Sequence, residues 1–213
     1  MYIENIFVCM AAPLLLAAWC MGKRQMRFLV FCLAGMAACL LSAYFNTFFA
    51  AVYQANAFNA TAEIAPVVEE LMKLLPLLFY LAVFRPADEQ VKAAALTVAV
   101  GFATFENICY LNRGGAEHLS FLLARGFGTG AMHIVCGVIV GCGLVYVWKY
   151  KWLKAAGFCG LVGAAITFHG VYNLLVTYGG AARYAAFVLP VATLIAGKAA
   201  GRLSAALSAD GNA

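Results

Sequence analysis

The chain has 213 residues, of which 65% are hydrophobic and 11% are charged. A soluble domain is nearer about 45–50% apolar and about 25% charged. The composition therefore excludes an ordinary soluble protein and indicates an all-α, polytopic membrane protein. The net charge of +5 gives no indication of a nucleic-acid partner, and the eight cysteines show neither a CxxC pair nor a Cys/His ligand spacing.

Apolar stretches taken in chain order predict seven transmembrane helices. They cover residues 3–21, 28–50, 64–84, 92–111, 121–148, 155–178 and 184–205. The fifth is too long for one perpendicular crossing, and its glycines Gly126, Gly128 and Gly130 favour a loop or a tilted entry for its first part. We expect residues 1–213 to form one integral-membrane domain whose motif-bearing core spans about 64–178.

The basic residues predict the orientation of the bundle. Ten of the 14 fall on one side of the predicted spans: Lys23, Arg24, Arg27, Arg85, Lys92, Lys149, Lys151, Lys154, Lys198 and Arg202. Because cytoplasmic loops carry an excess of Lys and Arg, the N-terminus is expected outside and the C-terminus in the cytoplasm. The expected location is the inner (plasma) membrane.

The third span carries Glu69, Glu70 and Lys73 within an otherwise apolar run. At 100° per residue, Lys73 lies about 40° from Glu69 and about 60° from Glu70, so all three share one helix face. Each charge inside a bilayer costs about 2.5–3.5 kcal/mol on insertion scales, and such residues usually mark a functional site.

Three further spans carry polar groups at a comparable depth. These groups are Glu106 and Asn107 in the fourth span, Arg125 and His133 in the fifth, and His169 and Asn173 in the sixth. Counting 1.5 Å per residue places the carboxylates and imidazoles about 8–14 Å from the outer helix ends. The spacing predicts that they meet in one layer in the outer half of the membrane.

This set of residues is suited to hydrolysis. A carboxylate and an imidazole can hold a water molecule and take its proton, while a second imidazole and an amide stabilise an oxyanion. Lys73 can keep one of the two adjacent glutamates ionised. Zinc is possible, held by His133, His169 and either Glu69 or Glu106, but no HExxH motif is present and no cofactor is expected.

Structural explanations stay open for each part. Glu69 and Lys73 can form a buried ion pair, Glu106 can neutralise Arg125, and His133 can be a core histidine. His118, in an outer loop, is expected to be solvated.

The ordered motifs resemble those of the PrsW family of intramembrane proteases and, more distantly, the CAAX prenyl endoprotease and bacteriocin-processing superfamily. They are Glu69-Glu70-x-x-Lys73, Phe105-Glu106-Asn107, Met132-His133 and His169-x-x-x-Asn173.

The resemblance implies that Glu69 or Glu70 activates water, with Glu69 preferred. His133 assists, and His169 with Asn173 forms the oxyanion site. Lys73, Glu106, Asn107 and Arg125 are supporting residues.

The resemblance also implies a substrate. PrsW-like enzymes act on a single-pass, anti-sigma-factor-like membrane protein at its extracytoplasmic side, in stress signalling. Lys73 and Thr129 stand where the distant superfamily usually has arginine and phenylalanine, which argues against a prenylated substrate.

Two other function classes fit the composition. A small transporter or channel would use the buried Glu/His/Lys cluster as a proton or ion relay. A non-catalytic membrane protein would use the same polar groups to hold a partner helix.

Overall fold

The computed structural model describes residues 2–112, 119–150 and 152–210. In this part of the chain the secondary structure is helical, and no strand occurs. The helices are α1 (Ile3–Cys20), α2 (Lys23–Val52), the short α3 (Ala57–Asn59), α4 (Ala65–Phe84), α5 (Asp88–Asn112), α6 (Leu119–Lys149), α7 (Lys154–Tyr178) and α8 (Gly180–Asp210). The predicted all-α polytopic bundle is confirmed.

Six of the long helices are apolar and long enough to cross a membrane. The seventh, α4, has 20 residues and carries the three charges Glu69, Glu70 and Lys73. Lys149, which ends α6, pairs with Asp88, which begins α5, at 2.7 Å, so these two helix ends lie at the same face of the bundle. Which face is cytoplasmic stays a prediction.

The prediction of a loop at the start of the fifth span is wrong. Helix α6 begins at Leu119 and continues through Gly126, Gly128 and Gly130 without interruption. Glycine does not end a helix here because backbone groups in an apolar environment need their helical partners. Gly128 instead allows close packing, since a Cβ at this position would lie 2.7 Å from Cδ1 of Phe187 in α8.

The third span has the predicted extent, since α4 covers Ala65–Phe84, but helical structure begins before it. The chain is already helical from Ala57, where Asn56 caps α3 by accepting the Asn59 N–H at 2.8 Å. A single π-helical segment, Ala60–Ile64, then leads directly into α4. Such segments are rare and often lie at functional sites.

Helix α5 lies at the centre of the bundle, between α2 and α6. Its side chains Phe102 and Phe105 are fully buried. The crossing with α2 is close because a Cβ on Gly101 would overlap the carbonyl group of Cys32. This crossing fixes the position of Glu106 relative to the other helices.

Gly101→Ala is expected to destabilise the bundle, because the added methyl group meets the backbone of α2 and not a movable side chain. Overpacking of this kind costs about 1–3 kcal/mol. Gly160→Ala is the matched control, since nothing lies within 4 Å of its added Cβ. Thermal unfolding in detergent measures the effect, and equal midpoints for the two variants would contradict the close crossing.

Candidate active site

The buried centre of the site is an ion pair between Glu70 and Lys73. The Lys73 Nζ lies 2.6 Å from Glu70 Oε1, and both side chains are buried. His169 Nδ1 lies 2.7 Å from the same carboxylate oxygen. The ion pair considered for Glu69 and Lys73 therefore forms with Glu70 instead, within α4, and the contact of Glu70 with His169 joins α4 to α7.

A second group of contacts surrounds Glu106. Arg125 donates from Nη2 to Glu106 Oε1 at 3.1 Å, and His133 Nε2 lies 2.8 Å from the other oxygen, Oε2. The pairing of Glu106 with Arg125, one of the structural explanations, is present. It does not account for the contact with His133.

The two groups are joined through His133. Its Nδ1 lies 3.1 Å from Lys73 Nζ, which completes a chain of polar contacts from Arg125 to His169. Phe102 covers this junction, with its ring centroid 5.1 Å from Lys73 Nζ and 4.9 Å from the His133 ring. The four helices that carry these residues thus meet at one place, as their shared depth predicts.

The depth of His133 differs from the expectation. It lies 14 residues after Leu119 (133 − 119 = 14), or about 21 Å along α6, because that helix begins earlier than predicted. The contacts with Lys73 and Glu106 still bring it into the same layer as the other groups.

Glu69 has different surroundings from Glu70. Its Oε1 accepts a hydrogen bond from Asn46 Nδ2 at 3.3 Å, and its Oε2 lies 3.7 Å from His169 Nε2. Among the residues that the structure describes, no lysine or arginine forms an ion pair with Glu69. The two adjacent carboxylates are therefore distinct, since one is neutralised by Lys73 and the other is not.

A cavity of about 600 Å³ adjoins Glu69. Its polar lining includes Glu69, Glu106, Arg125, Thr129, His169, Tyr172, Asn173 and Asn46. Glu70, Lys73 and His133 do not line it and lie behind its wall. The arrangement separates side chains that can meet a substrate from the buried side chains that orient them.

Comparison with known families decides the identity. The model of the PrsW family of intramembrane metalloproteases matches residues 22–196, which is most of the chain. The chain belongs to the PrsW family. No curated protein and no solved structure gives a significant match. The family and the apolar helices make this a multi-pass membrane protein of a protease family.

The PrsW motif residues of α7 both line the cavity but make different contacts. Asn173 donates from Nδ2 to the Thr61 carbonyl in the π-helical segment at 3.0 Å, whereas His169 contacts the two glutamates. Asn107 does not line the cavity, and its Oδ1 is buried without a hydrogen-bond partner in the described residues. His118 lies outside the described residues.

Several cavity residues were not predicted. Asn46 of α2 contacts Glu69, although the first two spans contribute no motif. Its signal is a single amide in the apolar run from Leu40 to Ala51. Tyr110 lies against Arg125, whose Cζ is 3.7 Å from the ring centroid, and no helical pattern in the sequence predicts this contact.

The family description raises the question of a metal ion. Glu69, His133 and His169 each offer one ligand atom, and these atoms lie within 4.8 Å of one another. Two histidines and a carboxylate form a known catalytic zinc set, in which ligand atoms lie about 3.3 Å apart. The bond from His169 Nδ1 to Glu70 matches the carboxylate that commonly orients a zinc-bound histidine.

His133 limits this fit. Both of its ring nitrogens have partners, Lys73 at 3.1 Å and Glu106 at 2.8 Å, so it binds a metal only after releasing one of them. The three residues could hold a zinc ion with that change.

Breaking the Glu70–Lys73 pair is expected to destabilise the protein. Lys73→Met or Glu70→Gln alone leaves one partner without its counterpart, and the removal of one partner of a buried ion pair typically costs about 3–5 kcal/mol. The combined variant removes both charges and is expected to recover much of the loss. Denaturant unfolding in detergent measures this, and strictly additive losses would contradict a direct pair.

Proposed function

We propose that this protein is an intramembrane endopeptidase in which Glu69 activates the attacking water. The observation that carries the proposal is the 3.7 Å separation of Glu69 Oε2 and His169 Nε2 beside the polar cavity. Both atoms are hydrogen-bond acceptors, and neither has a donor from a described residue within hydrogen-bonding distance. A water molecule between them can donate one proton to each.

The state of His169 follows from its other contact. Glu70, paired with the Lys73 ammonium, acts as an acceptor. His169 Nδ1 at 2.7 Å therefore carries the ring proton, and a neutral ring then has a lone pair at Nε2. The buried Glu70–Lys73 ion pair therefore makes His169 Nε2 the second acceptor for the water molecule.

The reaction then proceeds by general base catalysis. The water oxygen attacks the carbonyl carbon of the scissile bond while Glu69 takes one of its protons. The tetrahedral intermediate collapses as the C–N bond breaks, and the protonated Glu69 gives that proton to the leaving nitrogen. The hydroxyl group of the water molecule thus ends on the new carboxyl group, and its other proton ends on the new amine.

Asn173 is suited to the oxyanion. Its Nδ2 has two N–H groups, of which one is used by the Thr61 carbonyl, so the other is available in the cavity. Donors of this type typically stabilise the intermediate by about 3–4 kcal/mol. The geometry favours His169 as a water acceptor in the resting state over the oxyanion donor that the family resemblance implies.

A zinc ion held by Glu69, His133 and His169 would supply a more acidic water and polarise the carbonyl group. The residues around the cavity serve the same substrate in either case: they exclude lipid and position the peptide bond.

We further propose that the substrate is a single-pass, anti-sigma-factor-like membrane protein cut on its extracytoplasmic side. The support is the position of the cavity. Glu69 lies four residues into α4 and Glu106 lies six residues before the end of α5, both far from the basic ends of these helices. By the positive-inside rule the basic ends are cytoplasmic, so the helix ends near Glu69 and Glu106 are extracytoplasmic in an inner-membrane protein.

Reporter fusions test the orientation. A cytoplasmic reporter joined after Pro86 or after Tyr150 is expected to be active, and one joined after Ala55 is expected to be inactive, because the basic residues flank the first two positions. A reporter that is active only after Ala55 would reverse the orientation and the proposed side of cleavage.

Reconstituted protein and a panel of single-pass membrane substrates test the activity. Glu69→Gln is expected to lower kcat by about 10²–10⁴-fold, the usual contribution of a general base. Glu89→Gln makes the same chemical change at an exposed position of α5 and is expected to leave cleavage unchanged.

The same assay separates the possible mechanisms. Cleavage that survives a chelator supports a glutamate-activated water, and cleavage that is lost with chelator and restored by zinc supports a metal-bound water. A wild-type protein that cuts none of the substrates but carries a proton or ion flux dependent on Glu69 would replace the protease with a transporter.

A further inference from the structure

We propose that Glu106 is a positioning residue that holds Lys73 on Glu70 and so leaves Glu69 free to activate water. The inference rests on the proposed function, and it assigns a role to a motif carboxylate that the reaction itself does not require. It concerns which of the two neighbouring glutamates, Glu69 or Glu70, forms the ion pair with Lys73.

Helix geometry alone does not decide between the two glutamates. Glu69 and Glu70 lie four and three residues before Lys73, and both spacings bring a glutamate and a lysine together on a helix face. The structure pairs Lys73 with Glu70 at 2.6 Å. A contact from outside α4 can therefore decide the position of the ammonium group.

That contact is His133. Its Nδ1 lies 3.1 Å from Lys73 Nζ, and because an ammonium group only donates, Nδ1 must be the unprotonated nitrogen. A neutral His133 with a free Nδ1 carries its proton on Nε2. The position of Lys73 thus depends on the tautomer of His133.

Glu106 selects this tautomer. Its Oε2 lies 2.8 Å from His133 Nε2 and accepts the ring proton. Its Oε1 accepts from Arg125 Nη2 at 3.1 Å, so the arginine holds the carboxylate in place and engages its other oxygen. In the chain of contacts from Arg125 to Glu70, every hydrogen bond then joins one donor to one acceptor.

Glu106→Gln disturbs this matching of donors and acceptors and keeps a side chain of nearly the same size. A glutamine has one oxygen, and the charged Arg125 competes with His133 for it. When the oxygen turns to Arg125, the amide N–H groups face His133 Nε2, which then must accept. The ring proton moves to Nδ1, Lys73 loses its acceptor there, and the ammonium is free to pair with Glu69.

Two measurements on chelator-treated protein in liposomes test the inference. The chain has three histidines, so their ring ¹⁵N signals can be assigned by single substitutions. Wild type is expected to show His133 protonated at Nε2, and Glu106→Gln is expected to move that proton to Nδ1. In cleavage assays the same variant is expected to lower kcat by about 10²-fold, in the range of a lost general base, with KM changed less than about 2-fold.

A second substitution supplies the rescue. In Glu106→Gln/Arg125→Met the competing donor is absent, so the glutamine oxygen returns to His133 and the Nε2-protonated tautomer is expected to reappear. A purely structural role for Glu106 predicts no such recovery, because the double variant has lost more contacts than the single one.

The outcomes separate this inference from the proposed function. An unchanged His133 tautomer in Glu106→Gln, or no recovery in the double variant, overturns the role of Glu106 even if the protein cleaves substrates. A wild-type protein that cleaves nothing, either with chelator or after zinc is restored, overturns the proposed function, while the tautomer measurement still decides whether Glu106 sets the state of His133.

Discussion

The buried ammonium group of Lys73 is the charge on which the arrangement of the site depends. A charge within the apolar part of a membrane is costly unless it is paired and hydrogen-bonded. Lys73 meets this requirement with Glu70 at 2.6 Å and His133 at 3.1 Å, partners that come from two different helices. The pairing thereby fixes α4 relative to α6, and the contact of Glu70 with His169 adds α7.

This requirement also explains why two adjacent glutamates have different surroundings. One positive charge neutralises one carboxylate, and the second carboxylate is left beside the cavity with an amide donor, Asn46, as its neutral partner. A free carboxylate in such a site is stable only where water or a substrate can reach it. Burial of Glu70 and access to Glu69 are therefore two results of the same ion pair.

The sequence is sufficient to predict the fold class, the number of long helices and most of the polar residues that meet. Their presence in otherwise apolar spans is a strong signal because the membrane penalises them. The partner of Lys73 could not be predicted, since Glu69 and Glu70 lie within about 60° of it on one helix face and its further contact, His133, comes from another helix. Asn46 was missed for a related reason: one amide in a span has no motif around it, and its role depends on Glu69 being near.

For the proposed peptidase, the position of the cavity near one end of the helices bears on which peptide bonds of a substrate helix are accessible. Backbone groups in the middle of a substrate helix are hydrogen-bonded to each other, and exposing them in hydrocarbon costs several kcal/mol for each group. The last four residues at a helix end already lack intrahelical partners for their carbonyl groups. A peptide bond there reaches Glu69 with less unwinding than one at the bilayer centre. The polar groups of the cavity, with Asn173 and the π-helical segment at Thr61 on one side, then replace the hydrogen bonds that the substrate loses. On this argument the proposed peptidase would prefer substrates whose helix ends are weakly formed, and the depth of Glu69 would set how far from the membrane surface the cut lies.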